Sequence, residues 1–226
     1  MTNENIKPMA ALVTAALTEI KAPSTPAKPK ITTYPPLTRA NFGPPFQTLN
    51  DHRLELAFTA AAQFAQDVNN RRPYWLTLCG VSGTGKTHLA KMLYRHFMGA
   101  SRFNLDYDPK SNKVTGNSGQ FCCWRKTCSD IKQGDYGLIE DLSDDWFVVL
   151  DDIGTAHDPS GFIASALDRI LNSRLRKWTV ITCNFGLKEI ADRMDVRIAS
   201  RMLRDDSIVI ELSDVPDFNT REQCST

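Results

Sequence analysis

The sequence predicts an α/β fold built on a parallel sheet, and three stretches carry that expectation. An apolar run, Tyr74 to Cys79, enters a glycine-rich loop and then a helical pattern from His88 to Met98. A second apolar run, Trp146 to Leu150, ends in two carboxylates, Asp151 and Asp152. The amphipathic stretch Phe162 to Leu175 links it to a third run, Thr179 to Cys183. Strand, helix and strand in that order are the pattern of parallel units. Uninterrupted apolar runs suit strands buried on both faces.

The loop after the first run reads Gly80-Val81-Ser82-Gly83-Thr84-Gly85-Lys86-Thr87. It meets the phosphate-binding pattern G-x-x-x-x-G-K-[ST] at every defined position. A strand that passes through glycines into a helix N-terminus points backbone N–H groups and the positive end of the helix dipole at one spot. The glycines let the backbone turn tightly and approach phosphate oxygens without a Cβ in the way. Lys86 is then expected to reach the β- and γ-phosphates, and the Thr87 hydroxyl to hold Mg²⁺. His88, which opens the helix, completes the expected cradle. The loop marks a nucleotide site.

The carboxylates add the second half of such a site. Ligands of α/β sheets bind at the C-terminal ends of the strands, where Asp151 and Asp152 stand. Asp151 is placed to hold Mg²⁺, directly or through water, and Asp152 to orient and polarise an attacking water. Asn184 ends the third run and offers an amide to the γ-phosphate or to that water, although an Asn there also suits a simple turn before Gly186. Further on, Arg197, Arg201 and Arg204 recur at i, i+4 and i+7, on one helical face. That face reads either as a solvated basic surface or as a source of an arginine for phosphate held by a neighbouring subunit.

Around this core the chain carries simpler signals. Its 226 residues suffice for one well-buried domain with appendages. The formal net charge is +1, so any nucleic-acid contact must come from local patches. Arg125, Lys126, Arg174, Arg176 and Lys177 are candidates, each equally readable as solvated surface. Residues 1–20 show an apolar stripe at helical spacing and are expected to form a helix that could grip a partner. The stretch 21–40 is rich in Pro, Thr and Lys and reads as an extended linker. Asp51 supplies a helix start before Leu54–Val68, and residues 102–119 read as a surface hairpin or mobile excursion. Thr127 to Leu142 reads as polar helix or loop.

Six cysteines lack zinc-site spacing, and Cys79 and Cys183, at the ends of apolar runs, read as small hydrophobes. With no signal peptide or membrane span in view, the expected location is the cytoplasm.

Taken in order, GVSGTGKTHLA, VVLDDIG, TVITCN and RIASRML resemble the ATPase domain of the DnaC/IstB branch of the AAA+ proteins. The likeness spans residues 41–215, since the lead-in NFGPPFQTLNDHRLELAFTAAAQFA also resembles the segment before that family's phosphate loop. The loop alone indicates only a broad superfamily; Leu150–Gly154 and Arg197–Arg201 are more specific. The resemblance implies a five-stranded parallel sheet flanked by helices, a P-loop NTPase of AAA+ type, with ATP and Mg²⁺ as cofactors. It implies a nucleotide-dependent homo-oligomer on single-stranded DNA, with Asn184 as the sensor residue, Arg201 as the trans-acting arginine and Arg197 as the second choice. Asp152 stands where most AAA+ enzymes carry Glu, which implies slow hydrolysis. No helical lid domain is expected after Arg204, and residues 216–226 read as a tail.

The leading expectation is therefore an ATP-dependent loader of a replicative helicase. An IstB-like transposition helper, acting on duplex DNA with a transposase, shares the same ATPase core. A small-molecule kinase would need an acceptor site and an arginine-bearing lid, and the pair Asp151-Asp152 with Asn184 speaks against it. A non-hydrolysing adaptor fits poorly with Lys86, Thr87, Asp151 and Asp152 all in place.

Overall fold

The computed structural model describes residues 37–38, 51–68, 72–101, 106–108, 113–115, 118–204, 207–215 and 217. The expected N-terminal helix (1–20), nearly all of the linker (21–40) and all but Asp217 of the tail (216–226) lie outside the described residues. Helix α1, His52–Asp67, begins where expected, because the Asp51 side chain accepts from the backbone N–H groups of Arg53 (2.9 Å) and Leu54 (3.4 Å). Strand β1, Trp75–Cys79, leads through the glycine loop into α2, Lys86–Ser101. Two short strands, β2 (Asp106–Asp108) and β3 (Lys113–Thr115), pair antiparallel as the anticipated hairpin.

Strand β4, Gly119–Cys123, runs straight into α3, Trp124–Lys132, which is followed by α4, Gly137–Asp144. The segment read as polar helix or loop is thus two helices. Each buries a short apolar stripe (Trp124, Cys128 and Ile131; Ile139 and Leu142) too sparse to separate from a polar loop in the sequence. Strand β5 (Phe147–Ile153), α5 (Phe162–Ser173) and β6 (Trp178–Cys183) form the expected parallel unit. Helices α6 (Leu187–Arg193) and α7 (Val196–Met202) follow, and β7 (Ile208–Glu211) closes the sheet.

The main sheet has the order β4-β5-β6-β1-β7, with every pair parallel. Its last strand has no counterpart among the runs singled out above. Four half-buried or exposed residues flanked by charge give a weak signal, and β7 exists because β1 offers it a partner in the register Leu76↔Ile208.

Side chains alternate strictly between two cores. Leu76, Leu78, Phe147, Val149, Trp178 and Val180 face α1 and α2, where Phe64 stands edge-on to Tyr74 and to Trp178 at centroid distances of 5.2 and 5.1 Å. Trp75, Cys79, Val148, Leu150, Ile181 and Cys183 face the second core with α3 to α7. Burial on both faces is what the continuous apolar runs require.

One buried charge ties the second layer together. Arg174, at the end of α5, is 0% exposed. Its guanidinium donates to Thr179 Oγ1 (2.9 Å), Leu142 O (2.7 Å), Asp145 O (3.0 Å) and Trp178 O (2.7 Å). Burial pushes its pKa down to about 10, with Asp145 opposing. The expectation that Arg174 is a nucleic-acid contact is therefore overturned: its donors are spent inside the protein. Lys177 is similarly engaged, donating to Ser143 O at 2.6 Å.

Arg174→Ala would leave three carbonyls without this donor and open a cavity, so the fold should lose at least about 3 kcal/mol. Thermal unfolding should register that as a fall of roughly 6–12 °C. A change within 1 or 2 °C, on the order of what surface substitutions cause, would refute the assigned role.

Candidate nucleotide site

The phosphate loop is shaped by backbone that only glycine supplies. Gly80, Gly83 and Gly85 have φ of +122°, +79° and +95°. At Gly80 space is as restrictive as conformation: a Cβ would lie 2.6 Å from the Leu212 carbonyl carbon and 2.7 Å from the Ser213 nitrogen. The exit of β7 thus supports the loop from below, through a bond from Leu212 N–H to Cys79 O of 2.8 Å. From the chain beyond β7, Asp217 lays its carboxylate against Gly83, where a Cβ would collide with it.

Lys86 is folded into the loop. Its ammonium donates to Gly80 O (2.8 Å) and Val81 O (2.5 Å), with Thr84 Oγ1 at 3.4 Å. Burial pushes its pKa down, while Cys183, Asp152, Cys79 and Asp151 pull it back up. Thr84 is buried and donates to Val81 O at 3.2 Å, whereas Val81 and Ser82 face solvent. Because α2 starts at Lys86, the N–H groups of its first turn, Lys86 to His88, have no acceptor within the helix and are directed at the loop.

Across from the loop, Asp151 Oδ1 accepts from Thr87 Oγ1 at 2.8 Å and from Thr182 Oγ1 at 2.7 Å. The carboxylate is 6% exposed, and these two hydroxyls are what make burial of its charge tolerable. Asp152 has a left-handed backbone, φ +65°, at the place where the β5–β6 register shifts between Leu150 and Ile153. For a non-glycine residue that conformation is strained and has to be held by its surroundings. The bonds that hold it are Asp152 N–H to Thr182 Oγ1 (2.9 Å) and Asn184 Nδ2 to Asp152 Oδ1 (2.5 Å). Thr155 Oγ1 adds a bond to Asp152 Oδ2 at 3.1 Å.

The structure therefore brings Lys86, Thr87, Asp151, Asp152 and Asn184 to one end of the sheet. Asn184 spends its amide on Asp152. Arg125, at the start of α3, approaches Asp152 Oδ2 at 3.9 Å. The arginines of α7 are arranged otherwise. Arg201 pairs with Asp168 of α5 and reaches Asn172 at 3.5 Å, its side chain 16% exposed. Arg197 is 66% exposed and pairs with its own helix cap, Asp195, at 2.7 Å. Arg204 falls beyond the end of α7, so the three do not share one helical face.

Thr182 and Thr155 were not among the expected site residues. Thr182 sits inside an apolar run, and only the register of β5 against β6 shows that its hydroxyl serves two aspartates. Thr182 lies one position before the end of β6 and Thr155 two positions after the end of β5, places that nothing in the sequence marks as special.

A five-stranded parallel sheet in this order, with a phosphate loop after β1 and carboxylates at the tip of β5, defines a P-loop NTPase fold of the AAA+ type. No protein-family model matches the chain, and no curated protein matches it. Solved structures do. The crystal structure of DnaI superposes with a TM-score of 0.58 at 20% identity, covering 80% of this chain and 94% of that one. The crystal structure of the DnaC helicase loader gives 0.58 at 18%, covering 77% and 99%. AMPPCP-bound DnaA from Aquifex aeolicus gives 0.54 at 14%, covering 81% and 56%. At these identities the likeness is one of fold, and the fold is DnaC-like.

Thr182→Val removes the hydroxyl shared by Asp151 and Asp152 while keeping its shape. Two buried polar groups then lose a partner, so chemical denaturation should show a loss of about 1–3 kcal/mol. A loss under about 0.5 kcal/mol would mean that the hydroxyl is not holding the strained turn.

Proposed function

We propose that this protein is an ATPase that loads a replicative helicase, using ATP binding and slow hydrolysis to control its assembly on single-stranded DNA. The observation that carries the reading is the junction of Thr87, Asp151, Asp152 and Asn184 against the phosphate loop, set in a DnaC-like fold.

The residues present fit a nucleotide and its metal. The loop from Gly80 to Thr87, with His88, offers backbone N–H groups and the Lys86 ammonium to phosphates. At Gly80 and Gly83 a Cβ would collide with the Leu212–Ser213 backbone and with Asp217, so only glycine lets the loop take this cradle shape. Thr87 and Asp151 offer a hydroxyl and a carboxylate, the hard oxygen donors that Mg²⁺ takes alongside phosphate and water. When bound, that ion would neutralise charge building on the phosphates.

The protein's own chemistry lies with Asp152, which would accept a hydrogen bond from the attacking water and hold its oxygen in line. Asn184 would fix the Asp152 carboxylate and release part of that bond toward the γ-phosphate. The shorter reach of Asp relative to Glu suits slow turnover. Arg201, the favoured trans-acting arginine, must first leave Asp168, whereas Arg197 already faces solvent.

A contact for single-stranded DNA is supported by two exposed aromatics. Tyr136 and Phe162 stand edge to face at 6.3 Å, 56% and 42% exposed. Exposed Arg125, Lys126 and Lys132 on α3 supply charge nearby in sequence. Aromatic faces for bases combined with cations for phosphates form a common arrangement for binding single strands. Residues 1–20 would contact the helicase, and neighbouring copies of residues 41–215 would stack through nucleotide.

ATP hydrolysis with and without single-stranded DNA tests the reading. Lys86→Ala should abolish nucleotide binding. Asp152→Asn should keep binding and lower turnover by about 100-fold; undiminished turnover would remove Asp152 from its role. Phe162→Ala should weaken single-stranded DNA binding roughly tenfold. Arg201→Ala should abolish turnover without impairing nucleotide binding by the monomer. Hydrolysis that responds neither to DNA nor to Arg201→Ala or Arg197→Ala would overturn the loader reading in favour of a self-contained ATPase.

A further inference from the structure

We propose that Cys79 and Cys183 form a reversible dithiol–disulfide pair that closes the nucleotide site when oxidised. Each is the last residue of its strand, and β1 and β6 pair in parallel with the register Leu78↔Thr182, so the two cysteines are the next cross-strand neighbours on the same face. Their sulfurs lie 3.2 Å apart and share a hydrogen bond, and both are free thiols. Neighbouring strands run about 4.8 Å apart, within the Cα separation of roughly 4.4–6.8 Å that a disulfide spans.

The other described cysteines show no such partner. Cys122 bonds to Thr127 at 3.0 Å, Cys128 is buried in the same core, and burial pushes both thiols up to about 12. Cys123 is exposed. In the Cys79–Cys183 pair, the shared bond pulls Cys183 below the ordinary thiol range, and the same bond with burial holds Cys79 above it. Cys183 is the nucleophile.

The pair is buried, at 1% and 0% exposure, so the proposed oxidant is hydrogen peroxide, small enough to enter when the strand ends open locally. The Cys183 thiolate attacks one peroxide oxygen, the O–O bond breaks, and the departing hydroxide takes the proton of Cys79 to become water. The Cys79 thiolate then attacks the Cys183 sulfenic sulfur and expels hydroxide, which takes up the proton first lost by Cys183. Two thiols and one peroxide become one disulfide and two waters. A small dithiol reductant, entering through the same local opening, reverses the step by exchange.

The bridge draws the sulfurs from 3.2 Å to about 2.05 Å. The strand ends have little slack: Cys79 O is bonded to Leu212 N–H at 2.8 Å, Gly80 abuts the Leu212–Ser213 backbone, and Asn184 is bonded to Asp152. Displacement therefore passes into Gly80, whose carbonyl holds Lys86, and into the Asn184 arm. The thiol chemistry is independent of any role at DNA; its effect on nucleotide rests on the phosphate-loop reading.

The test treats the full chain with hydrogen peroxide, maps peptides without reduction, and titrates a fluorescent ATP analogue before and after dithiothreitol. A Cys79–Cys183 linked peptide, with affinity at least about tenfold weaker and restored on reduction, is the expected result. Cys183→Ala should keep its affinity under peroxide; if that variant does not fold, the wild-type map and the reversal decide alone. Oxidation at Cys123 with Cys79 and Cys183 still free would overturn the pair, and a bridge that leaves affinity unchanged would overturn the switch. Reduced wild-type protein that binds no analogue would refute the nucleotide reading and the switch with it, while the map still decides the pair.

Discussion

Asp151 Oδ1 accepts two hydroxyl protons, from Thr87 and from Thr182, and the working end of the molecule depends on that arrangement. A carboxylate with 6% exposure pays a heavy desolvation cost unless its charge is met. The two threonines meet it from different elements, the first turn of α2 and the tip of β6. One atom thus links three segments that are far apart in sequence, and it does so at the C-terminal end of the sheet. Apolar burial holds β5 between β4 and β6; the shared oxygen fixes how the phosphate loop sits above them.

The neighbouring residue shows what this precision costs. Asp152 adopts a left-handed backbone at the register shift of β5, a conformation that costs on the order of 1–3 kcal/mol for a non-glycine residue. Thr182 Oγ1, Asn184 Nδ2 and Thr155 Oγ1 offset that strain with hydrogen bonds. A regular strand would point consecutive side chains to opposite faces. The bulge breaks the alternation between Leu150 and Ile153, where Thr182 Oγ1 bonds both to the Asp151 carboxylate and to the Asp152 N–H. The strain is thus the means by which two adjacent aspartates come to serve one site.

Much of this was readable from local sequence, and the division between readable and hidden follows physical range. The phosphate loop is specified by glycines whose conformations are local, and the strands by apolar runs that cannot be exposed, so both stood out. Asp51 as a helix cap is likewise a contact between residues two or three apart. The roles of Thr182 and Arg174 depend on partners 31 and 32 residues away, and no pattern in the chain distinguishes them from an ordinary strand threonine and surface arginine. Strand β7 depends on β1 for its identity. The arginines of α7 have the spacing of a single face, but Asp168 on α5 takes Arg201 inward and the helix ends before Arg204.

The polar groups around the loop already have partners within the chain: Lys86 in loop carbonyls, Thr87 on Asp151, Asn184 on Asp152. Phosphate binding at such a site exchanges contacts rather than creating them. Each exchange yields only a difference between two hydrogen bonds, on the order of 1 kcal/mol or less. Lys86 must give up two carbonyls before it meets a phosphate. The net affinity is then smaller than the number of contacts suggests, and the two sets of contacts define two alternative arrangements of the same side chains. A ligand shifts such an equilibrium only by its differential affinity for the two states. Modest differential binding of this kind would suit the proposed cycle of nucleotide binding and release. A site built of vacant donors would bind more tightly and switch less readily.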